Sequence, residues 1–327
     1  MSALRIGVVG VGSLGFHHAR ILAGASQVER VGIHDIRPDR LAEVSGQLGV
    51  TPFARLEALL DGISACIIAV PTEAHEEVAR AALERGIHVM VEKPIAPSLE
   101  AADRILAAAE RSGALVQIGH VERFNGALRA CEPYIEEPLF VESHRLAPFG
   151  PRGTDVAVVL DLMIHDLDLV LSLMRQAVTH VAAVGVPVLT SSPDIANARL
   201  EFAGGGVANL TASRVSIERM RKIRFFQRSG YISLDLAAGS GEFLRLRGGA
   251  HEPGIPFAAA RLEEIVERIP LRGDGAEPLR AELESFISAI RGESEVTVTG
   301  HDGRRALAVA LQIVERIDAH VAHRSPA

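Results

Sequence analysis

Lys93, at the end of an apolar run, and the pair Asp161 and His165, four residues apart, carry the side chains best suited to moving a proton. Positions i and i+4 share one face of a helix, so the Asp161 carboxylate can orient or charge-stabilise the His165 imidazole. An imidazole titrating near neutral pH suits proton removal from a secondary alcohol as hydride leaves. Partial desolvation at a strand end would lower the pKa of Lys93 and equip it to donate to a hydroxyl or an alkoxide. The plainer alternatives are a surface lysine before a loop and a helix-surface ion pair; the apolar neighbours Leu160, Leu162, Met163 and Ile164 count against the second. His165, Asp166 and Asp168 are also metal-ligand types. Asp166 should face away from His165, however, and no second ligand cluster has suitable spacing, so no metal is expected.

The element that would supply such chemistry with a hydride acceptor lies at the start of the chain. Gly10-Val11-Gly12-Ser13-Leu14-Gly15 follows the apolar run Leu4 to Val9, and Asp35 ends the next apolar run, twenty residues past Gly15. A strand that ends in a glycine turn, a second glycine that admits a pyrophosphate to the backbone, and a third that lets the helix pack on the strand together define a dinucleotide site. The phosphates sit on free N–H groups at the helix N-terminus, here Gly12, Ser13 and Leu14. A carboxylate at Asp35 accepts hydrogen bonds from ribose hydroxyls and repels a 2′-phosphate, which favours NAD. Arg37 weakens that preference, since it can stack on adenine or reach a phosphate; with Arg40 it also reads as solvated charge at a helix start. His17 and His18, in the first turn of the helix, read as packing or surface residues within reach of the cofactor.

The elements that must position these groups follow from periodicity. Strand-like runs at 4–9, 28–34, 65–70, 87–91 and 114–118 alternate with helical patterns at 14–22, 40–47, 73–85 and 99–111. That alternation builds a doubly wound parallel sheet, whose ligand lies beyond the carboxyl ends of the strands. The rule selects Val70-Pro71-Thr72, Glu92-Lys93-Pro94 and Gly119-His120. From residue 138 the pattern changes to strand-like segments at 139–146, 178–188, 197–202, 206–213, 222–227, 231–235 and 242–247, with hairpin signals at Ala203 to Gly206 and Ser229-Gly230. One helical pattern, 156–173, interrupts them, two more, 277–290 and 302–320, close the chain, and 248–254 and 272–278 read as loops. The expected fold class is α/β: an N-terminal Rossmann domain over 1–122 and, over 123–327, an α+β domain with a large, mostly antiparallel open sheet and helices on one face.

Composition sets outer limits. A chain of 327 residues with 48 % apolar content suits two domains of ordinary size. The net charge of −7, from 34 basic and 41 acidic residues, argues against nucleic acid or an anionic membrane as partner. Cys66 and Cys131 read as two buried thiols in a reducing compartment. With a strand starting at Leu4 and no apolar run of transmembrane length, the expected location is the cytoplasm.

The glycine turn, Ala69-Val70-Pro71-Thr72 with His75 three residues on, Glu92-Lys93-Pro94, and Asp161-Leu162-Met163-Ile164-His165 resemble the glucose-fructose oxidoreductase / inositol dehydrogenase / MocA family over nearly the whole chain. The resemblance implies a Rossmann domain followed by an α/β domain whose open sheet mediates dimers or tetramers, a cis proline after Lys93, and His75 near the nicotinamide pocket. Gly119 to Asn125 and the segment Ser213 to Arg224 are similar to those of the subgroup that oxidises C3 of UDP-N-acetylglucosamine for the diamino sugar of some lipid A, with an aminotransferase consuming the ketone. That implies Lys93, His120, Arg123, Asn125, Asp161, His165, Arg219 and Arg221 as substrate contacts. Independently, the cations Arg214, Arg219, Arg221, Lys222 and Arg224 are numerous for an acidic protein, and a diphosphate is one thing such a cluster holds. A solvated strand face or subunit salt bridges account for them equally, because alternation sends Arg219 and Arg221 to one side and Lys222 and Arg224 to the other. Asn125 has a second possible use, capping the next helix. Oxidation of a related glycuronic acid, a polyol or an inositol stays open, as does a nucleotide-binding regulator that does no chemistry.

Overall fold

A computed structural model describes residues 4–150, 156–247 and 265–324. Contacts divide the chain into two units, Met1–Val121 with Glu277–Leu307, and Glu122–Ala276 with Ala308–Ala327.

In the first unit, β1 (Leu4–Val9), β2 (Val28–His34), β3 (Thr51–Pro52), β4 (Ala65–Ile68), β5 (His88–Glu92) and β6 (Val116–Gly119) form one parallel sheet in the order β3-β2-β1-β4-β5-β6. Strands covered on both faces must be apolar throughout, which is why β4 is the unbroken run Ala-Cys-Ile-Ile, buried at every position. Helices α1 (Ser13–Ala23), α2 (Pro38–Leu48), α3 (Leu56–Leu60), α4 (His75–Leu83) and α5 (Leu99–Ser112) make the crossovers. Ser98 caps α5 by accepting from the Ala101 N–H, and Gly113, at φ 70°, ends it. Helix α8 (Pro278–Ile290) returns to this unit, where Leu283, Phe286 and Ile287 share a core with Ile6, Ile21 and Met90. The sequence placed that helix in the second domain; an amphipathic face says that a helix is buried, not against what. The short pair β3 and α3 was also unread, since a two-residue strand has no periodicity.

The second unit is an eight-stranded sheet in the order β14-β13-β12-β11-β7-β10-β9-β8, formed by β7 (Phe140–Leu146), β8 (Val178–Val186), β9 (Ile195–Phe202), β10 (Val207–Ser213), β11 (Met220–Gln227), β12 (Gly230–Asp235), β13 (Ser240–Leu246) and β14 (Val266–Arg272). Only β7 and β10 pair in parallel. Every second residue of β7 and of β9 is buried, as one covered face requires. Both glycine hairpins form, with Gly205 at φ 81° between β9 and β10. Strand β14 went unread because Pro270 interrupts its run; proline is tolerated there because β14 is an edge strand. The loop read at 248–254 lies outside the described residues. Helices α6 (Gly126–Cys131) and α7 (Ile164–Met174) belong to this unit, and α9 (Gly300–Arg324) runs through the division at Leu307. Cys66 and Cys131 are free and buried, and burial pushes both thiols up to about 12. Among the described residues no helix is long and apolar enough to cross a membrane.

Asp194, in the β8–β9 connection and 0 % exposed, accepts the N–H groups of Val188, Leu189 and Thr190 at 2.8, 2.6 and 2.9 Å and the Thr190 hydroxyl at 2.8 Å. Burial opposes its charge, yet these backbone donors outweigh it and hold the carboxyl at about 2. Arg214 lies beside it at 3.6 Å and donates to the Val156 carbonyl, on the approach to α7. Asp194→Ala should therefore lower the unfolding free energy by on the order of 3 kcal/mol in urea titration, because three amides and an arginine lose their partner. A carboxyl depressed in the folded state stabilises fully above about pH 4 and ceases to do so as the pH falls through the folded value. Variant and wild type should converge in stability as pH is lowered toward 2.

Candidate active site

The turn after β1 is shaped by what a side chain would strike. Gly10 has φ 83°, and a Cβ there would lie 2.7 Å from the Ala69 carbonyl; one at Gly15 would lie 1.8 Å from the Gly10 carbonyl. Gly12 is different, since a Cβ there meets no protein atom within 4 Å. Gly10 and Gly15 are thus required by the fold, and Gly12 leaves room for a ligand at the N-terminus of α1, where Ser13 and Leu14 are exposed. A cavity of about 570 Å³ opens here, lined by Gly10, Gly12, Asp35, Ile36, Val70 and Pro71 among others, a size that suits a nucleotide. Asp35 closes the end of β2, its Oδ2 accepting the Val11 N–H and its Oδ1 the Arg37 N–H, each at 2.9 Å. Burial works against its ionisation, but those two amides and the Arg37 guanidinium prevail and hold the carboxyl below its usual range. An ionised acceptor at this place fits NAD, and Arg37 leans back on Asp35 at 3.3 Å. Arg40, read as solvated charge, braces the turn instead, donating to the carbonyls of Val11 at 2.8 Å and Gly12 at 3.3 Å.

Beyond β4, Thr72 opens a short 3₁₀ turn and His75 begins α4. His75 is 1 % exposed and its ring bridges two carbonyls, Pro94 at 2.9 Å and Val70 at 3.0 Å; burial lowers its pKa, against the pull of those carbonyls. It thereby ties the β4 edge of the cavity to the segment after Lys93. The Lys93–Pro94 bond is cis and Lys93 is half-buried. Glu92 was read as a cofactor contact, but its carboxylate is 7 % exposed and bonded to His18 at 2.7 Å. His120 is buried at the end of β6.

In the second unit Asp161 lies in a π-turn, Val159–Met163, that runs directly into α7. Such turns insert an extra residue into the helical ladder and concentrate at functional sites. Helix α7 is buried at Ile164 and continuously from Asp166 to Leu171. Asp161 and His165 instead reach the surface in part, as do Leu160 and Leu162. The neighbouring acids are spent on internal pairs. Asp166 takes both arms of Arg145 at 3.0 and 2.7 Å, and Arg145 also donates to Glu122 at 2.9 Å; all three are at most 5 % exposed. Burial would lower the Arg145 pKa, but the two carboxylates prevail and raise it. Asp168 is gripped by Arg123 at 2.6 and 2.9 Å. Arg123 and Asn125, expected at the substrate, thus have internal work. Asn125 is 4 % exposed, caps α6 by accepting the Ala127 N–H, and donates to Glu122 and to the Leu236 carbonyl. The basic segment separates by face. Arg214 is buried against Asp194, Lys222 and Arg224 pair with Asp235 and Glu142, and Arg221 stands 3.6 Å from Glu122 with Arg219 exposed nearby. Arg145 went unremarked in the sequence, where it is one residue of an alternating strand.

A family profile described as an oxidoreductase family with an NAD-binding Rossmann fold matches residues 4–120, and one described as a GFO/IDH/MocA C-terminal domain matches 103–233. The chain is 37 % identical, over 98 % of its length and 99 % of the relative's, to a UDP-N-acetylglucosamine 3-dehydrogenase of Acidithiobacillus ferrooxidans. The chain belongs to the Gfo/Idh/MocA family. It is therefore an NAD-binding oxidoreductase. A solved structure of that Acidithiobacillus enzyme superposes with a TM-score of 0.88 over 98 % of this chain and 99 % of the other. A myo-inositol 2-dehydrogenase of Thermotoga maritima is a more distant family member, 25 % identical over 93 % of each chain. The fold is shared by a levoglucosan dehydrogenase solved with NADH and levoglucosan, at TM-score 0.82, 19 % identity and 97 % coverage of both chains.

Two glycines separate binding from folding. Gly12→Ala should keep the melting temperature and weaken NADH binding, followed by fluorescence titration, by about tenfold or more. Gly10→Ala should lower stability itself by more than about 1 kcal/mol, since it strains a positive φ against a backbone carbonyl.

Proposed function

We propose that this protein oxidises the C3 hydroxyl of UDP-N-acetylglucosamine to the 3-keto sugar. What carries the proposal is the end-to-end similarity to the Acidithiobacillus 3-dehydrogenase, joined here by Lys93 at the strand edge and by Asp161 and His165, both partly exposed. Bound NAD would supply the hydride acceptor for the C3 hydrogen, which leaves the O3 proton for the protein to remove. His165 is assigned as the base that takes it, with Asp161 orienting the imidazole, and Lys93 as the donor to the alkoxide that develops on O3. Gly10, Gly12, Ser13, Leu14 and Gly15 hold the dinucleotide phosphates, Asp35 and Arg37 the adenosine ribose, and Val70, Pro71, Thr72 and His75 the nicotinamide side. Arg219 and Arg221 are the cations proposed to meet the diphosphate, and His120 is proposed at the sugar or ribose. Arg123 and Asn125 serve at one remove, by fixing Asp168 and Glu122.

The ketone is a substrate for an aminotransferase, which would place the reaction in the cytoplasm on the route to the diamino sugar of lipid A. The open sheet is proposed to pair subunits as a homodimer or homotetramer. A second reading, oxidation of a cyclic polyol, has the similarity to myo-inositol 2-dehydrogenase in its favour. NADH absorbance with UDP-N-acetylglucosamine, its glycuronic acid and myo-inositol, each with an aminotransferase and its amino-acid donor to draw off the ketone, distinguishes them. A signal confined to the first is expected, and one confined to myo-inositol would replace this proposal with the second. Lys93→Met and His165→Asn should each lower kcat by about a hundredfold or more while NADH still binds. Wild-type turnover in either would remove the role given to it.

A further inference from the structure

The strand end that carries Lys93 is backed by a layer of buried polar side chains to which the chemistry above gives no task. His18 on α1, Gln117 on β6 and Glu282 on α8 are each 0 % exposed. Their surroundings are apolar, with Ala19, Leu22, Met90, Leu283 and Phe286 in the adjoining core. Polar groups are costly in such a place unless they hold something in position.

Glu92 is the centre of the layer. A buried carboxylate accepts only, so the 2.7 Å bond to His18 has the imidazole Nε2 as donor to Oε1. Its Oε2 accepts the backbone N–H of Lys93 at 3.3 Å. Gly119 lies beside Glu92 in register, and a Cβ there would come within 2.9 Å of the carboxylate carbon, so the glycine makes the space that the carboxylate fills. With Nε2 protonated, the buried Nδ1 of His18 has no hydrogen-bond partner. Glu282 arrives from α8, its main-chain carbonyl accepting from Gln117 Nε2 at 3.2 Å, with neither carboxyl oxygen hydrogen-bonded. Burial, and after it the charge of Glu92, favours the protonated form of Glu282 and moves its titration well above the ordinary carboxyl range.

We propose that His18 is a positioning residue for Lys93: it clamps the Glu92 carboxylate that receives the Lys93 N–H. The clamp spans the two parts of the unit that must agree during turnover, since His18 sits on the helix whose N-terminus meets the dinucleotide and Lys93 ends β5. The proposal rests on the role given to Lys93 above.

Three variants of the full chain test it: His18→Leu, His18→Gln and Lys93→Met. His18→Leu should lower kcat by about tenfold to a hundredfold, as a small misplacement of a reacting group does, with the KM for sugar and the NADH dissociation constant nearly unchanged. His18→Gln, which restores an N–H donor, should recover most of that loss. Full turnover in His18→Leu, or a folded His18→Gln no better than His18→Leu, would overturn the proposal. An inactive Lys93→Met beside a fully active His18→Leu contradicts the clamp alone, whereas an active Lys93→Met contradicts the role of Lys93.

Discussion

A charge taken out of water has to be paired where it is buried, and each unit of this protein meets that constraint immediately beside a residue with chemical potential. In the first unit Glu92, adjacent to Lys93, is paired with His18. In the second, Asp166, adjacent to His165, is paired with Arg145, which also holds Glu122. Desolvation makes such pairs weak contributors to net stability, but it makes them unforgiving of misplacement. A carboxylate that must stay within hydrogen-bond reach of one buried partner fixes the backbone that carries it. The residue next in sequence inherits that precision.

The same economy explains why acidic residues that look available in the sequence are not. Asp166 and Asp168 offer oxygen ligands on paper, yet each has both oxygens engaged by an arginine fork. Asp161 and His165 keep partial exposure in the same segment. The π-turn contributes to this division, because an added residue before Ile164 resets which positions face the sheet while leaving the helix continuous.

What the sequence disclosed was local. The strand, glycine turn and helix at the start of the chain lie within twenty residues and announce themselves by a switch of period and by glycines that only a tight approach requires, so β1, α1, β2 and Asp35 were legible with nearly their observed bounds. The alternation of the second unit showed its open sheet for the same reason. What escaped depends on distance along the chain. His18 and Glu92 are 74 residues apart, Gln117 meets the Glu282 carbonyl across 165, and α8 joins the first core after the whole second sheet has intervened. Periodicity gives a buried face its direction but not its partner. Arg123 and Asn125 show the same limit, since their place after β6 suggests ligand contact but says nothing of the bonds their side chains make to Asp168, Glu122 and the α6 cap.

The central claim is that hydride leaves C3 of the sugar. Its most direct test is isotopic: the protein is incubated with NAD and UDP-N-acetylglucosamine deuterated at C3, and the mass of the NADH formed is measured. The account predicts NADH heavier by one deuterium and a deuterium-free 3-keto product. Unlabelled NADH formed from this substrate would place the oxidation at another carbon and contradict it.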